Sequence, residues 1–358
     1  MSNIILMSYL YDISNWLETN TFQLKDFSNL KNLENLKIQK GYTVSVVIPT
    51  LEEEKTIEVV LRYLIDKLIL ENKIIDELVV MDGGSKDNTI LKILALQKEF
   101  PNYIKLHNQD DVLSNVCQYK GKGEALWKSL YVTKGDIVIY SDSDIKNFDE
   151  RFIVGILGPL LIRDNIKFVK GYYKRPFILS ENTKSNEGGR VTELSARPLL
   201  NILYPQLSGF IQPLGGEYGG FREVLENIEY TSGYGVEVQT LIETLEKYGL
   251  ESMAQTNLIE RVHRHQPINA LSKMSSAIMQ TILKRKLDIN TLNAGILIKN
   301  LNKENSNFVK SRSEGQTHCN CSGEDFSNDN FKFALINEQV LPAMQTLRSK
   351  LSNQVVLN

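Results

Sequence analysis

TVSVVIPT at 43–50, DELVVMD at 76–82 and DIVIYSD at 136–142 decide the fold. Each is an almost unbroken apolar, β-branched run of strand length that stops at a polar residue, the pattern of a strand covered on both faces in a parallel sheet. Between them EEKTIEVVLRYLIDKLI (53–69), NTILKILALQKEF (88–100) and GEALWKSLYVT (123–133) carry apolar residues at helical spacing, and YIKLH (103–107) reads as a further short strand. Residues 43–142 therefore predict an open α/β sheet, whose ligands lie beyond the carboxyl ends of its strands.

Past Asp144 the pattern loosens. FDERFIVGILGPLL (148–161) predicts a helix, NIKFVKGYYKR (165–175) a strand and SENTKSNEGG (180–189) a polar loop. VTELSARPLLNILYP (191–205) reads as a helix despite Pro198, QPLGGEYGG (212–220) as a glycine-rich loop, and GVEVQTLIETLEKYG (235–249) as an amphipathic helix closed by Gly249. SMAQTNLI (252–259) predicts a strand. From 268 the chain reads as helix-rich to 306, polar to 329 and helical again at 331–350, while its first forty residues predict a short helix and an irregular lead-in.

The chain has 358 residues, 42% of them hydrophobic, with 41 Lys and Arg against 43 Asp and Glu, for a net charge of -2. That balance excludes the broad positive surface of a nucleic-acid protein, though one small phosphorylated ligand still needs only a local basic site. Cys117, Cys319 and Cys321 are too few and too scattered for a disulfide framework, which favours a reducing, cytoplasmic compartment. HCNC (318–321) lacks the second cysteine pair of a zinc site, so His318, Cys319 and Cys321 are assigned no metal. The N-terminus has neither the basic flank nor the apolar length of a signal peptide, and no apolar run reaches eighteen residues, so no membrane association is expected.

Chemistry is expected at the strand ends. YSDSD (140–144) places Asp142, Ser143 and Asp144 where an apolar strand stops, and two carboxylates two residues apart suit Mg²⁺ or Mn²⁺ and thereby a diphosphate. A solvated Asp-Ser-Asp turn is the plain alternative. PTLEEE (49–54) and Asp82-Gly83-Gly84 end the other two strands, with carboxylates for ribose hydroxyls or a base edge and glycines for close backbone approach; Glu52–Glu54 would otherwise serve the dipole of the next helix. Neither G-x-G-x-x-G nor G-x-x-x-x-G-K-[ST] occurs. Lys122, between Gly121 and Gly123, can reach a phosphate or be an ordinary loop lysine.

Together VSVVIPTLEEEKTI, DELVVMDGGSKDNT, GKGEALWKSL and GDIVIYSDSD resemble the nucleotide-sugar domain of family-2-like glycosyltransferases of the GT-A fold. FVKGYYKRP, GGRVTEL, ARPLL, QPLGGEY, GYGVEVQTLI and VHRHQP narrow the resemblance to the glucosyl-3-phosphoglycerate synthase family over residues 43–285. What it implies is a GT-A-like, mostly parallel nucleotide-sugar-binding α/β sheet flanked by helices, with an acceptor-binding lobe and C-terminal helices. The divisions would be a lead-in at 1–42, the nucleotide-sugar core at 43–145, the acceptor-binding and catalytic portion at 146–285, and a C-terminal helical segment at 286–358 that supports a homodimer.

The implied activity is retaining transfer of glucose from UDP-glucose or GDP-glucose to the 2-hydroxyl of 3-phospho-D-glycerate with Mg²⁺ or Mn²⁺. The resemblance puts the ion on Asp144 and His263, uridine and ribose on Pro49, Thr50, Leu51, Glu53 and Gly83 with Asp142 and Ser143 nearby, and the diphosphate on Lys122. It puts the acceptor on Gly189, Arg190 and Thr192, with His265 near it, and the transferring sugar among Leu214, Gly215, Tyr234 and Glu237. Arg190, the Thr192 hydroxyl and a helix start are chemically apt for a phosphorylated carboxylate. Two positions depart from the family pattern: His265 stands where Asn is usual, and Gly83 where Ser is usual. No second acid beside Glu237 is expected at the anomeric centre, which favours same-face attack over a covalent intermediate. The alternatives are a mannose donor, another acceptor such as a polyprenyl phosphate, a nucleotidyltransferase, or a non-catalytic sugar-nucleotide sensor.

Overall fold

The computed structural model describes residues 3–180, 183–185, 188–263, 266–287, 294–299 and 331–356. The lead-in is more regular than its composition predicts. Helix α1 (Asn3–Asn20) runs directly into strand β1 (Thr21–Gln23), and helix α2 (Leu30–Lys40) follows. The Asn29 side chain caps α2 by accepting the Asn32 N–H at 3.1 Å, and Gly41 closes it at φ 69°. Trp16 Nε1 and Asn20 Nδ2 both donate to the Met253 carbonyl at 2.8 Å, which fastens this segment to the body of the protein.

Strands β2 (Val44–Thr50), β3 (Glu77–Asp82), β4 (Ile104–Asn108) and β5 (Ile137–Tyr140) lie where the apolar runs place them. Ser45 stands opposite both Glu77 and Val138 in parallel ladders. Val46, Val47, Ile48, Val79, Val80, Val138 and Ile139 have no exposed surface, which is why these segments do not alternate. Each such side chain is worth about 1.5–3 kcal/mol of burial. Helices α3 (Ile57–Tyr63), α4 (Thr89–Glu99) and α5 (Lys122–Val132) link the strands. The first starts four residues later than its periodicity predicts, because Glu52 sits at φ 57° and the Glu53 carbonyl accepts the N–H groups of Thr56 and Ile57, closing a turn. It then continues as a π-helical stretch, Leu64–Glu71.

Helix α6 (Arg151–Ile162), strands β6 (Phe168–Lys174), β7 (Phe177–Ser180) and β8 (Thr183–Ser185), and helix α7 (Arg197–Leu203) come next. Strand β9 (Tyr218–Phe221), helix α8 (Arg222–Asn227), strand β10 (Tyr230–Thr231), helix α9 (Val236–Tyr248), strand β11 (Met253–Glu260) and helix α10 (Ile268–Leu287) complete the body. Among the described residues, the main sheet has eight strands in the order β1-β11-β6-β9-β5-β2-β3-β4. Only β9 in this order is antiparallel to its neighbours, so the mostly parallel sheet flanked by helices is borne out. One apolar layer packs α3, α4 and α6 against the sheet, and a second packs α5, α9 and α10 on the other face.

Three expectations need correction. The glycine-rich run 212–220 is a loop only in its first part, because Tyr218 onward pairs with both β5 and β6. The region after 287 is not simply helical: β12 (Ala294–Lys299) pairs antiparallel with β13 (Phe331–Ile336). Strand β14 (Val340–Leu341) then pairs with β10, and only from Met344 does helix α11 (Met344–Val356) form. Short apolar runs such as FKFALI carry no periodicity that separates strand from helix. His318, Cys319, Cys321 and the polar stretch 306–329 lie outside the described residues.

Candidate active site

The β5 ladder ends as Ser141 N–H donates to the Val47 carbonyl at 3.1 Å, leaving the next residues to cross the carboxyl edge of the sheet. There Lys122, the first residue of α5, lies 2.6 Å from Asp142 Oδ1 and 2.6 Å from Glu237 Oε1 at the start of α9. Arg261, just past β11, lies 2.9 Å from Asp142 Oδ2 and 2.5 Å from Asp144 Oδ1 through one nitrogen. Its other nitrogen reaches Glu217 at 3.1 Å and the Tyr173 hydroxyl at 2.9 Å. A Cβ at position 216 would fall 2.2 Å from Asp142 Oδ2, so Gly216 lets the Leu214–Gly216 loop close on this carboxylate. The bland reading of Lys122 as an exposed loop lysine is therefore overturned.

Charge in this cluster is strongly biased. Burial alone would raise the Asp142 carboxyl, but Lys122 and Arg261 hold it well below the usual carboxylate range. Burial would lower the Lys122 ammonium, yet Asp142 and Glu237 raise it above its ordinary value. Lys170 in β6 is also buried; it donates to the Gly215 carbonyl at 2.8 Å and lies 4.4 Å from the Tyr218 ring centre. Burial pushes its ammonium down to about 7, against the pull of Glu237.

The residues expected to hold the nucleoside converge along the same edge. Ser143 Oγ donates to the Pro49 carbonyl at 2.9 Å, and Gly83 N–H to the Thr50 carbonyl at 2.9 Å. Leu51 is more than half exposed, and the buried Thr50 hydroxyl has no hydrogen-bond partner among the described residues. Glu53 N–H donates to Thr89 Oγ1 at 2.8 Å. A side chain at Gly83 would meet Thr50, Leu51 and Gln109 Oε1 at 3.6–3.7 Å, ordinary contact distances. Asp82 accepts from Gly84 N–H, Ser85 N–H and Ser85 Oγ at 2.8, 3.0 and 2.6 Å, which closes its own turn.

On the opposite side, Gly189 at φ 84° leads into the helical turn of Arg190 and Thr192. Arg190 Nη2 donates to the Gln266 carbonyl at 3.4 Å. The Thr192 hydroxyl is buried without a hydrogen-bond partner among the described residues. Tyr234 is half exposed, and its N–H donates to Glu338 at 3.1 Å. His265 lies outside the described residues.

Asp144 and His263 are the residues expected to hold a divalent ion, and their donor types suit one. Burial, then Arg261 and Arg175, push the His263 imidazole down to about 4, with Asp144 and Asp142 acting in the opposite sense. The ring is thus in its neutral, metal-ligating form. Among the described residues no three His, Cys, Asp or Glu side chains gather around one point. The arrangement fits an ion held by one or two protein ligands together with substrate phosphates.

Sequence reasoning missed Arg261, Lys170 and Glu217. Arg261 lies two residues before His263, where strand alternation would have put both on one side. Glu217 is a second buried carboxylate near the centre, contrary to the expectation of one, but it is tied to Arg261.

The family model described as glycosyl transferase family 2 matches residues 45–154, from β2 into α6. A glucosyl-3-phosphoglycerate synthase from Petrotoga mobilis is 42% identical over 276 residues, 76% of this chain and 83% of the relative. The chain belongs to the glucosyl-3-phosphoglycerate synthases. Another synthase of this name, from Mycobacterium tuberculosis, in a crystal structure with Mn²⁺, UDP-glucose and phosphoglyceric acid, is 34% identical with a TM-score of 0.69, over 89% of this chain and 95% of that one. The mannosyl-3-phosphoglycerate synthase from Rubrobacter xylanophilus gives a TM-score of 0.75 at 28% identity, over 93% and 99%. As a glucosyl-3-phosphoglycerate synthase the chain is a GT-A-type transferase, and the nucleotidyltransferase and sensor readings fall.

Proposed function

We propose that this synthase moves glucose from UDP-glucose to the 2-hydroxyl of 3-phospho-D-glycerate with retention of configuration. The observation that carries the reading is Lys122, a partly exposed cation 2.6 Å from a strand-end carboxylate and from a carboxylate of α9. An arriving diphosphate would offer it a new anionic partner. UDP rather than GDP as carrier rests on the donor bound in the Mycobacterium tuberculosis relative.

In this reading Pro49, Thr50, Leu51, Glu53, Gly83, Asp142 and Ser143 bind uridine and ribose. Asp144 and His263 would hold Mn²⁺ or Mg²⁺, which when bound neutralises diphosphate charge. Lys122 stabilises the leaving diphosphate. Gly189, Arg190 and Thr192 orient the acceptor beside Tyr234, and Leu214 and Gly215 line the sugar. The bond from the anomeric carbon to the diphosphate breaks, a bond to the acceptor oxygen forms on the same face, and the hydroxyl proton passes to the departing phosphate oxygen. Glu237 acts through its field on Lys122 and the sugar.

Mannose is the second reading, supported by the TM-score of 0.75 to a mannosyl-3-phosphoglycerate synthase. Incubation with UDP-glucose, GDP-glucose, GDP-mannose or ADP-glucose against 3-phosphoglycerate, glycerate or a lipid phosphate separates the possibilities. UDP-glucose with 3-phosphoglycerate should give the highest kcat/KM; a higher value for GDP-mannose would replace glucose by mannose.

A homodimer belongs to the same proposal. Helix α11 buries Met344 and Leu347 within its own chain, whereas Leu194 and Ile202 are 79% and 75% exposed. Sedimentation at micromolar concentration should give twice the chain mass. Among the described residues no helix is long and apolar enough to cross a membrane, and the phosphorylated metabolites proposed as substrates favour the cytoplasm.

A further inference from the structure

The turn Ser232–Gly235 stands between the two partners of the central ion pair. On one side it bears on the loop of Lys122: Glu124 N–H donates to the Ser232 carbonyl at 2.9 Å. A Cβ at Gly121 would lie 2.5 Å from that carbonyl oxygen, and one at Gly123 would lie 1.8 Å from the Thr231 oxygen. The glycines flanking Lys122 are thus required by this backbone. On the other side the turn becomes the start of α9, where Glu237 is the second residue.

The N–H groups of this turn, just ahead of α9, take their acceptor from a residue more than a hundred positions away. Glu338 Oε2 accepts the Gly233 N–H at 2.9 Å and Oε1 the Tyr234 N–H at 3.1 Å. The carboxylate is buried, and a Cβ at Gly233 would fall 2.4 Å from it. Glu338 is itself fixed: its N–H donates to Gln280 Oε1 at 2.8 Å and its carbonyl accepts from Lys284 Nζ at 2.9 Å. Gln339 and Ser232 exchange bonds at 2.9 and 3.1 Å, extending the β10–β14 pair.

We propose that Glu338 is a positioning residue for transfer: by clamping the Ser232–Gly235 turn it sets Lys122 and Glu237 in register without touching substrate. This rests on the roles given above to Lys122 and Glu237. The C-terminal segment is then part of the catalytic apparatus and not only a supporting element.

The test compares Glu338→Asp, Glu338→Gln and Glu338→Ala with Gly233→Ala, which disturbs the same contact from the other partner. Met344→Ala is the control, since it removes a buried side chain of the same C-terminal region away from the site. Turnover, both KM values and thermal midpoints are measured under saturating Mn²⁺. The expected result is a kcat reduced at least tenfold in Glu338→Gln, Glu338→Ala and Gly233→Ala, with partial recovery in Glu338→Asp. Met344→Ala should lower the midpoint while leaving kcat within twofold. A kcat within twofold of the parent in Glu338→Gln or Gly233→Ala, or losses that follow the thermal midpoint across all variants, would overturn the proposal. Lys122→Ala is run alongside: if it also keeps full activity, the reading of the site fails, and if it alone is inactive, only the role of Glu338 fails.

Discussion

Arg261 and Asp144 are joined at 2.5 Å, and the same guanidinium nitrogen also lies 2.9 Å from Asp142. A strand end that gathers two carboxylates needs positive charge, and without substrate Arg261 and Lys122 provide it. In the proposed site Asp144 and His263 would hold a divalent ion, which would supply further positive charge at this strand end.

Replacing Asp144 by Ala removes the charged member of the expected donor pair. Turnover under saturating UDP-glucose should fall at least about 100-fold, and Mn²⁺ affinity in the presence of UDP, followed by electron paramagnetic resonance, should fall with it. Unchanged activity in the variant, or full parental activity in excess chelator, would contradict the metal assignment.

Arg190→Ala should damage use of the acceptor. Loss of a charge-assisted hydrogen bond to phosphate costs about 1.5–3 kcal/mol, or about 10- to 150-fold in kcat/KM for 3-phosphoglycerate. Calorimetric affinity for UDP-glucose should stay within about twofold of the parent by the same argument that separates acceptor from donor contacts. A parallel loss of donor affinity would move Arg190 to the donor side.

Glu237 lies 2.6 Å from Lys122, and Glu217 is tied to Arg261 at 3.1 Å. Double displacement on a sugar needs two carboxyl groups about 5–5.5 Å apart with one able to attack, and both candidates here are already engaged by cations. Glu237→Gln should lower kcat by about tenfold or more through the altered field on Lys122. Intact-protein mass spectrometry after addition of UDP-glucose should detect no glucosyl adduct on the parent or the variant. An adduct on either would establish a covalent route.

Lys170 yields a prediction about pH and stability. Burial lowers its ammonium to about 7 in the folded protein, whereas an unfolded lysine keeps its proton up to about 10.4. Between these values the unfolded chain binds more protons at this position, so the contribution of Lys170 to stability rises with pH across that window. Lys170→Met abolishes the titration. The denaturation midpoint of the parent relative to the variant should therefore increase from pH 7 to pH 9.5, and a difference independent of pH would show that the ammonium titrates normally.

The carboxyl edge of the sheet is legible because its residues are local to strand ends: buried runs at 44–50, 77–82 and 137–140 mark where Thr50, Asp82 and Asp142 emerge. Asp82 shows the limit of that logic, since a strand-end carboxylate can close its own turn, as it does on Ser85. Arg261, Lys170 and Glu338 were hidden for a different reason. Arg261 meets Asp142 across 119 positions and Glu338 meets Gly233 across 105, and no local pattern announces such partners. Their sequence traces are the glycines: Gly121, Gly123, Gly216 and Gly233 each make room for an approaching oxygen, but the sequence does not say whose. Tyr218–Phe221 was misread because the same glycines that suggest a loop sit inside a strand.

NMR of the product is the sharpest test of glucosyl transfer to 3-phosphoglycerate at the Lys122 site. Purified protein incubated with UDP-glucose, 3-phosphoglycerate and Mn²⁺ should release UDP and yield one phosphorylated glucoside, with the sugar on the 2-hydroxyl and the anomeric configuration of the donor. The Lys122→Ala variant should form it at least about 100-fold more slowly, as expected for loss of a positive charge at a leaving phosphate. Absence of that glucoside under conditions where another donor and acceptor pair reacts, or equal rates with and without Lys122, would contradict the account.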